Sequence, residues 1–520
     1  MYLVITASSD TYITNKIVNN KFRVKDANLG RASTLDLFKL YDESFLTGSS
    51  QPIELSRLLV KFDLERLRAL TSSILDPSHS SFTAKLQMTD ISSGRTVPEN
   101  FNVVVHPLAK SFDEGIGRDV VSFNDIGSAN FITSSFSNST VNAWTFEGAN
   151  KEGLLGSNDI DIVGSGNLSD GNGAQQILHK TQTFTVGDED LDIDVTTILS
   201  ATLAEQISDY GFRLSYSGSE ETDSKTRFVK RFASRHVTNP LIRPRLVVTF
   251  DDSIEDHHEN FFFDLSGSVF LKNYHRGIPS NVLTSSAGVL SDVSGDNCML
   301  VTLRTGSFKR VFTASQHKVG TISQTGVYSA SFLMASNESD LVLSGATAAG
   351  KSTVKDFFID SGSLVFEEYW GSLDETVGYH TGSLEIKSVN RVAYSGTPKN
   401  YQFSCVNLQN DYNHDDEPKI RVFVNDPSDQ EASRFYNKKT SSYVGKLYYR
   451  IVDAYDGQVI IPFVEKGNGT RLSSDTDGYY FEFHMENLPI GRSYKIELLA
   501  IDRGVRSIES VANSRFRITA

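Results

Sequence analysis

Two cysteines, five methionines and twelve prolines in 520 residues exclude several architectures at once. Cys298 and Cys405 lie far apart, in regions assigned below to different domains. A framework of bridges or a zinc site is therefore not expected, and both read as buried small hydrophobes. No apolar run approaches the roughly 18 residues that cross a bilayer. The opening MYLVITASSDTY has neither the charged start nor the long apolar region of a signal peptide, so the expectation is a soluble chain made in the cytoplasm, without membrane insertion. A formal net charge of -14 argues against a general nucleic-acid binder, because affinity for phosphate backbones comes from clustered Lys and Arg. Helical patterning is scarce: only residues 64–75 and 195–208 read as helix.

What the chain does contain is aromatic and β-prone. There are 33 Phe and 20 Tyr, with Ser, Thr, Gly and Asn between short apolar runs, which is β-protein composition. The length exceeds what one core can serve, so several domains are expected. Period-two patterns recur from the start. RLLVKFDL sets Leu59 and Lys61 opposite Val60 and Phe62, and TAKLQMTDI aligns Ala84, Leu86 and Met88, both as half-buried strands. The acidic DDSIEDHHENFFFD (251–264) ends this series. Alternation returns late in KIRVFVND and in KLYYRIVDAYDGQVIIPF, where Asp456-Gly457 predicts a hairpin turn. Tyr479, Phe481, Phe483 and Met485 then share one predicted strand face. The expected fold is all-β, with several β-sandwich domains: 1–252 carrying a Gly, Ser and Asn-rich insertion at 126–180, a β-rich middle domain at 253–385, and a third sandwich at 386–520.

Residues 225–250, KTRFVKRFASRHVTNPLIRPRLVVTF, set a basic burst beside a terminal strand in which Leu246, Val248 and Phe250 alternate with Val247 and Thr249. Arg227, Lys230, Arg231 and Arg235 read as charges flanking a sheet edge, where they discourage unwanted pairing, with a glycan or phosphate site as the alternative. Phe232-Ala233-Ser234-Arg235 followed by Pro244 to Val248 resembles the closing signature of the DNRLRE-type module, a β-sandwich similar to carbohydrate-binding modules. TASSDTYI (6–13), RLLVKFDLERL (57–67), VVVHPLAKSFDEGIGRDVVSFND and LDIDVTTIL (191–199) resemble its other landmarks in order. Phe112 stands where the family usually has Trp, and the insertion departs in size. In the third region, the Leu-Pro-x-Gly turn before Tyr494, Ile496 and Leu498 resembles the end of immunoglobulin-like or fibronectin-type sandwiches, where a tyrosine ties a corner. More widely, the N-terminal TASSDTYITNKIVNNKFRVKDANLGRASTLDLFKLYDES and the C-terminal DGQVIIPFVEKGNGTRLSSDTDGYYFEFHMENLPIGRSYKIELLAIDRG resemble virion structural proteins of tailed bacteriophages. That resemblance implies a non-enzymatic component of tail, neck or baseplate, placed in the virion after assembly in the host cytoplasm. Its implied partners are other virion proteins and copies of itself. The alternative is a receptor-binding appendage that recognises host surface glycan.

Enzymatic patterns are few. Gly345 to Ser352 matches the phosphate-loop pattern, with Lys351 as the phosphate lysine, but no helix of several turns follows, so a flexible turn is the expectation and a nucleotide site the rival. Asp475 and Asp477, and the acidic stretch 410–418, concentrate oxygen ligands without the spacing of a calcium loop. Adjacent His257 and His258 point to opposite faces of a strand and read as linker. Asp113, Glu114, Glu367 and Glu368 show no pairing across a cleft. No catalytic residue, cofactor or metal is expected. The candidate interface or glycan contacts are the aromatics Tyr369, Trp370 and Tyr379 in FEEYWGSLDETVGYHTGS, with a satisfied core position the equal alternative for Trp370, and Trp144 in the insertion.

Overall fold

Period-two patterning becomes sheet along nearly the whole chain. The computed structural model describes all residues except 20, 43–51, 93–96, 122–124, 138–139, 169–174, 287–288, 307, 338–361, 389–400, 427–440 and 503. It is 52% strand and 6% helix, so sheets supply most of the core of this all-β, multi-domain sandwich protein. The two predicted helices are Glu65–Leu70 and Thr196–Leu203. Among the described residues no helix is long and apolar enough to cross a membrane. Both cysteines are free thiols.

The chain divides into two compact units: an N-terminal unit of Tyr2–Thr71 with Phe82–Thr249, and a C-terminal unit of Phe250–Ala520 that also takes in Met1 and Ser72–Ser81. In the N-terminal unit the opening strand Tyr2–Thr14 belongs to two ladders. Its first half pairs with Arg245–Thr249, which continues to Thr83–Met88 and Leu191–Asp194. Past an irregularity between Ala7 and Ser9, its second half pairs with Ile53–Phe62, followed by Phe212–Tyr216, Phe101–Pro107 and Lys180–Phe184. The bulge lets one strand turn from one sheet to the other. Thr34–Tyr41 and Arg227–Ala233 add a branch to Ile53–Phe62.

One expectation changes here. Ile53–Phe62 is not half-buried: Leu58, Leu59 and Val60 are all fully enclosed. Its second face is covered by the insertion, whose Phe131, Trp144 and Ala149 pack with Leu55, Leu59, Leu108 and Phe112. A strand between two apolar layers loses the alternation of a surface strand. The insertion, in turn, is structured. It holds the hairpin of Thr133–Ser137 with Thr140–Ala143, and a three-stranded sheet of Glu152–Leu154, Ile162–Asn167 and Gln175–Ile177.

The C-terminal unit contains two large sheets. The seven-stranded sheet uses residues 261–387 and encloses Phe261, Phe263, Met299, Val301, Tyr328, Phe366 and Trp370. The nine-stranded sheet spans residues 402–519. There Lys446–Asp453 turns at Gly457, φ 74°, into Val459–Ile461, so the predicted hairpin forms. The fully buried Tyr494 donates its hydroxyl to the Pro489 carbonyl at 2.8 Å, which ties the chain back across the turn of Gly491, φ 82°. The expected face of Tyr479, Phe481, Phe483 and Met485 is corrected. The strand is only Gly478–Glu482, Tyr479, Tyr480 and Phe481 are all buried, and Met485 begins a short 3-10 turn. Contacts on both faces, with Phe481 stacked on Tyr449 at 4.3 Å and the Lys419 ammonium 3.5 Å from the Tyr480 ring centroid, erase the alternation.

Candidate functional site

The basic stretch of Arg227–Ala233 is a set of neutralised cations. Lys230, fully buried, donates to Asp90 Oδ1 at 2.7 Å and to the Gly187 and Glu189 carbonyls at 2.8 Å. Its ammonium lies 5.1 Å from the ring centroids of both Phe184 and Phe232. Arg227 grips Asp223, Arg231 grips Asp36 and Arg235 grips Glu114, each by two hydrogen bonds. The expectation of solvated edge charges is therefore corrected: Arg227–Ala233 pairs with Thr34–Tyr41 and bridges to Asp90 on its other side, and the charges are held by carboxylates. No free phosphate-binding patch remains among these four.

Three of the quoted sequence landmarks converge at one point in this unit. Asp10 accepts the Arg235 backbone N–H, Glu114 accepts both the Asp10 N–H and the Arg235 guanidinium, and Asn28 donates to the Glu114 carbonyl. Gly30 makes this approach possible, since a Cβ there would stand 1.9 Å from the Glu114 carbonyl oxygen. Burial first, then the nearby Glu114 charge, lifts the Asp10 carboxyl to about 7 against the pull of the Arg235 contacts.

Of the four candidate aromatics, two are core residues. Trp144 is 5% exposed and donates its indole N–H to the Asn130 carbonyl; Trp370 is 1% exposed and donates to Glu368 Oε1 at 2.6 Å. Neither offers a ring face to a sugar or a partner, because both rings are enclosed in the core. Tyr379 is half-buried against the same core as Trp370. Tyr369, one position from Trp370, faces the opposite side of the sheet, half-buried, with the Arg304 guanidinium 5.4 Å from its centroid.

Sequence reasoning missed a charged relay and a cleft, both in the C-terminal unit. His258, expected in a linker, is held by Asp256 Oδ1 at 2.6 Å on Nδ1 and by Glu368 Oε2 at 2.9 Å on Nε2. Burial opposes its charge, but hydrogen bonds to the two carboxylates outweigh burial and hold its pKa up at about 10. Glu368 is thereby committed to an ion pair rather than to acid or base chemistry, and its own pKa is lowered despite burial.

The cleft, about 380 Å³, is lined by Lys272, Tyr274, His317, Lys419, Arg471 and Tyr480 among others. Lys272 donates to the Tyr480 hydroxyl at 2.8 Å, and the Lys419 ammonium sits 3.5 Å from the Tyr480 ring centroid. Burial and the Lys419 charge lower the pKa of Lys272, and burial likewise lowers that of Lys419. Two desolvated ammonium groups beside a tyrosine offer a contact to an anionic, partly apolar guest, against the carboxylates Asp252 and Glu482 in the same lining and Asp475, 3.6 Å from Lys419. Asp475, considered for calcium, is instead clamped by Arg421 at 2.9 and 3.0 Å. No residue type or spacing announces the cleft, since its lining comes from chain segments far apart. The Gly345–Ser352 loop pattern with Lys351 lies outside the described residues.

No family model matches the chain, and no curated protein matches it. A solved structure of a protein from Corynebacterium diphtheriae, described as membrane anchored, aligns with 100% of this chain and 97% of its own at 7% identity and a TM-score of 0.14. The extracellular domain of protocadherin GammaB4 aligns with 98% of this chain and 61% of its own at 10% identity and a TM-score of 0.12. Similarity at that level carries no argument about fold, partners or activity.

Proposed function

We propose that the chain is a non-enzymatic structural component of a tailed-phage virion, joining tail, neck or baseplate parts through protein–protein contacts with copies of itself and with other virion proteins. The observation that supports this most is a pair of apolar hairpins open to solvent. In the C-terminal unit, Leu283–Ser286 pairs, among the described residues, only with Val289–Asp292, and Leu283, Val289 and Leu290 are 53, 68 and 67% exposed. In the N-terminal unit, Phe136 and Val141 oppose each other across the insertion hairpin, both about half exposed. Two-stranded hairpins are marginal alone, and bare apolar side chains on them suit a surface that a neighbour covers. The resemblance to phage virion proteins supplies the setting.

Leu290→Asp is expected to leave the isolated chain's stability within about 0.5 kcal/mol, as for other exposed positions, while abolishing incorporation into particles. Electron cryomicroscopy of intact particles checks the wild type. Density in the particle body that buries well over about 1,000 Å² per contact, with the hairpins covered, is the expected result. Hairpins left bare in assembled particles would count against the proposal.

A second reading, recognition of a host glycan, now rests on the cleft rather than on the tryptophans. Its tyrosines and paired lysines suit an acidic saccharide. On this reading polygalacturonate binds and neutral dextran does not, with Lys419→Gln weakening the first at least about tenfold, as loss of a charged hydrogen bond does. Equal binding of both polymers, or none, removes the reading.

A further inference from the structure

A buried imidazole nitrogen without a hydrogen-bond partner demands a physical reason. His106, in the strand Phe101–Pro107 of the N-terminal unit, is 5% exposed, and its Nδ1 has no partner among the described residues. Its Nε2 lies 3.9 Å from Glu152 Oε2, beyond hydrogen-bond reach. A second imidazole, His179, sits alongside with ring centroids 5.1 Å apart. His179 Nδ1 lies 3.3 Å from the Gly164 carbonyl, so it donates there and leaves the Nε2 lone pair free. One ligating atom each from His106, Glu152 and His179 fall within 4.8 Å of one another.

Gly164 shapes this cluster twice. Its carbonyl orients His179, and its missing side chain admits Glu152, because a Cβ there would stand 1.8 Å from Glu152 Oε1. The three side chains come from the strand Phe101–Pro107, the strand Glu152–Leu154 and the residue just before Lys180–Phe184. We propose that His106, Glu152 and His179 form a binding site for a divalent transition-metal ion, zinc foremost, with the fourth position left to solvent.

The ligand chemistry selects the ion. Two imidazoles and one carboxylate suit zinc and its neighbours, whereas calcium and magnesium take oxygen ligands. Two cations, Arg213 and Arg57, stand near His106 and oppose an incoming metal ion. Arg57 is itself answered by Glu221 through two hydrogen bonds of 2.9 and 2.7 Å, which limits its repulsion of an incoming cation. A bound ion would link the insertion's small sheet to the main sandwich, and so stabilise the unit by mass action. The other carboxylate and imidazole group, Asp10, Glu114 and His236, differs in that Arg235 already holds both Glu114 oxygens.

The test uses the full chain, stripped with chelator and titrated with zinc chloride by calorimetry, with cobalt(II) absorption as a second readout. One zinc per chain, a rise in melting temperature and tetrahedral-type cobalt bands are expected. Glu152→Gln and His179→Gln should abolish all three, and Gly164→Ala should weaken binding about 10- to 100-fold, as disturbing a ligand's support does. His236→Gln should change nothing. Glu152 is about half exposed, so its variant keeps the metal-free melting temperature of the wild type. Absence of saturable zinc binding, or binding that survives both Glu152→Gln and His179→Gln, overturns the proposal.

Discussion

His258→Ala is expected to destabilise the C-terminal unit by about 3–5 kcal/mol, the range for stripping one partner from a buried ion pair. The loss exceeds a simple packing defect because two carboxylates depend on this ring. Asp256 and Glu368 have side chains only 5 and 2% exposed, and Glu368 also accepts the Trp370 indole N–H. Without His258 both would have to remain buried and unpaired, or take up protons. The same pairing makes stability depend on pH. The folded-state pKa of about 10 lies above the ordinary value of 6.5. The contribution is therefore complete below about pH 6.5, and is lost as pH rises from there through about 10, because the folded state then holds a proton that the unfolded state has released. Urea unfolding followed by Trp370 fluorescence in a Trp144→Phe background reads this unit, since the chain's two tryptophans fall one in each unit. The wild type should weaken between pH 7 and 10 and the His258→Ala variant should not. A difference under about 1 kcal/mol at pH 7, the range of an exposed pair, would mean that the relay is not stabilising.

Lys230→Met should cost the N-terminal unit a similar 3–5 kcal/mol or so, whereas Arg231→Ala, one position away, should cost less than about 1 kcal/mol. The contrast follows from geometry. Lys230 is fully enclosed and satisfies Asp90 and two backbone carbonyls, so its removal strips both carbonyls of this donor and leaves the Asp90 charge with only the Ser92 hydroxyl and N–H in a low-dielectric site. The Arg231 and Asp36 side chains keep 30 and 15% of their surfaces in water, which can replace the lost contact. Trp144 fluorescence in a Trp370→Phe background reports the relevant transition. If the stretch were an ordinary solvated edge, both substitutions would fall within about 0.5 kcal/mol of the wild type.

Legibility tracked how local the determining interaction was. The strand Thr83–Met88 shows the alternation read from its letters, with Ala84, Leu86 and Met88 buried, because one face meets the core and the other does not. Ile53–Phe62 and Gly478–Glu482 lost theirs because distant segments cover their second faces. Trp370, left open between contact and core by its sequence neighbours, and Trp144, singled out for its place in the insertion, each fill a layer built by strands far away in the chain. His258 read as linker because neither Glu368 nor the sheet that carries it is a sequence neighbour. The sequence by itself determined that this protein is built of sheets, where its first strand series ends, the Asp456-Gly457 turn and the Tyr494 corner, since period, turn chemistry and composition act over a few residues. Only the tertiary structure decided which charges are buried and paired, which aromatics are core, and where a cleft and a His106, Glu152 and His179 cluster arise. Those depend on which faces meet, and a charge's partner and exposure are set by distant segments, as for Lys230 and Asp90, 140 residues apart.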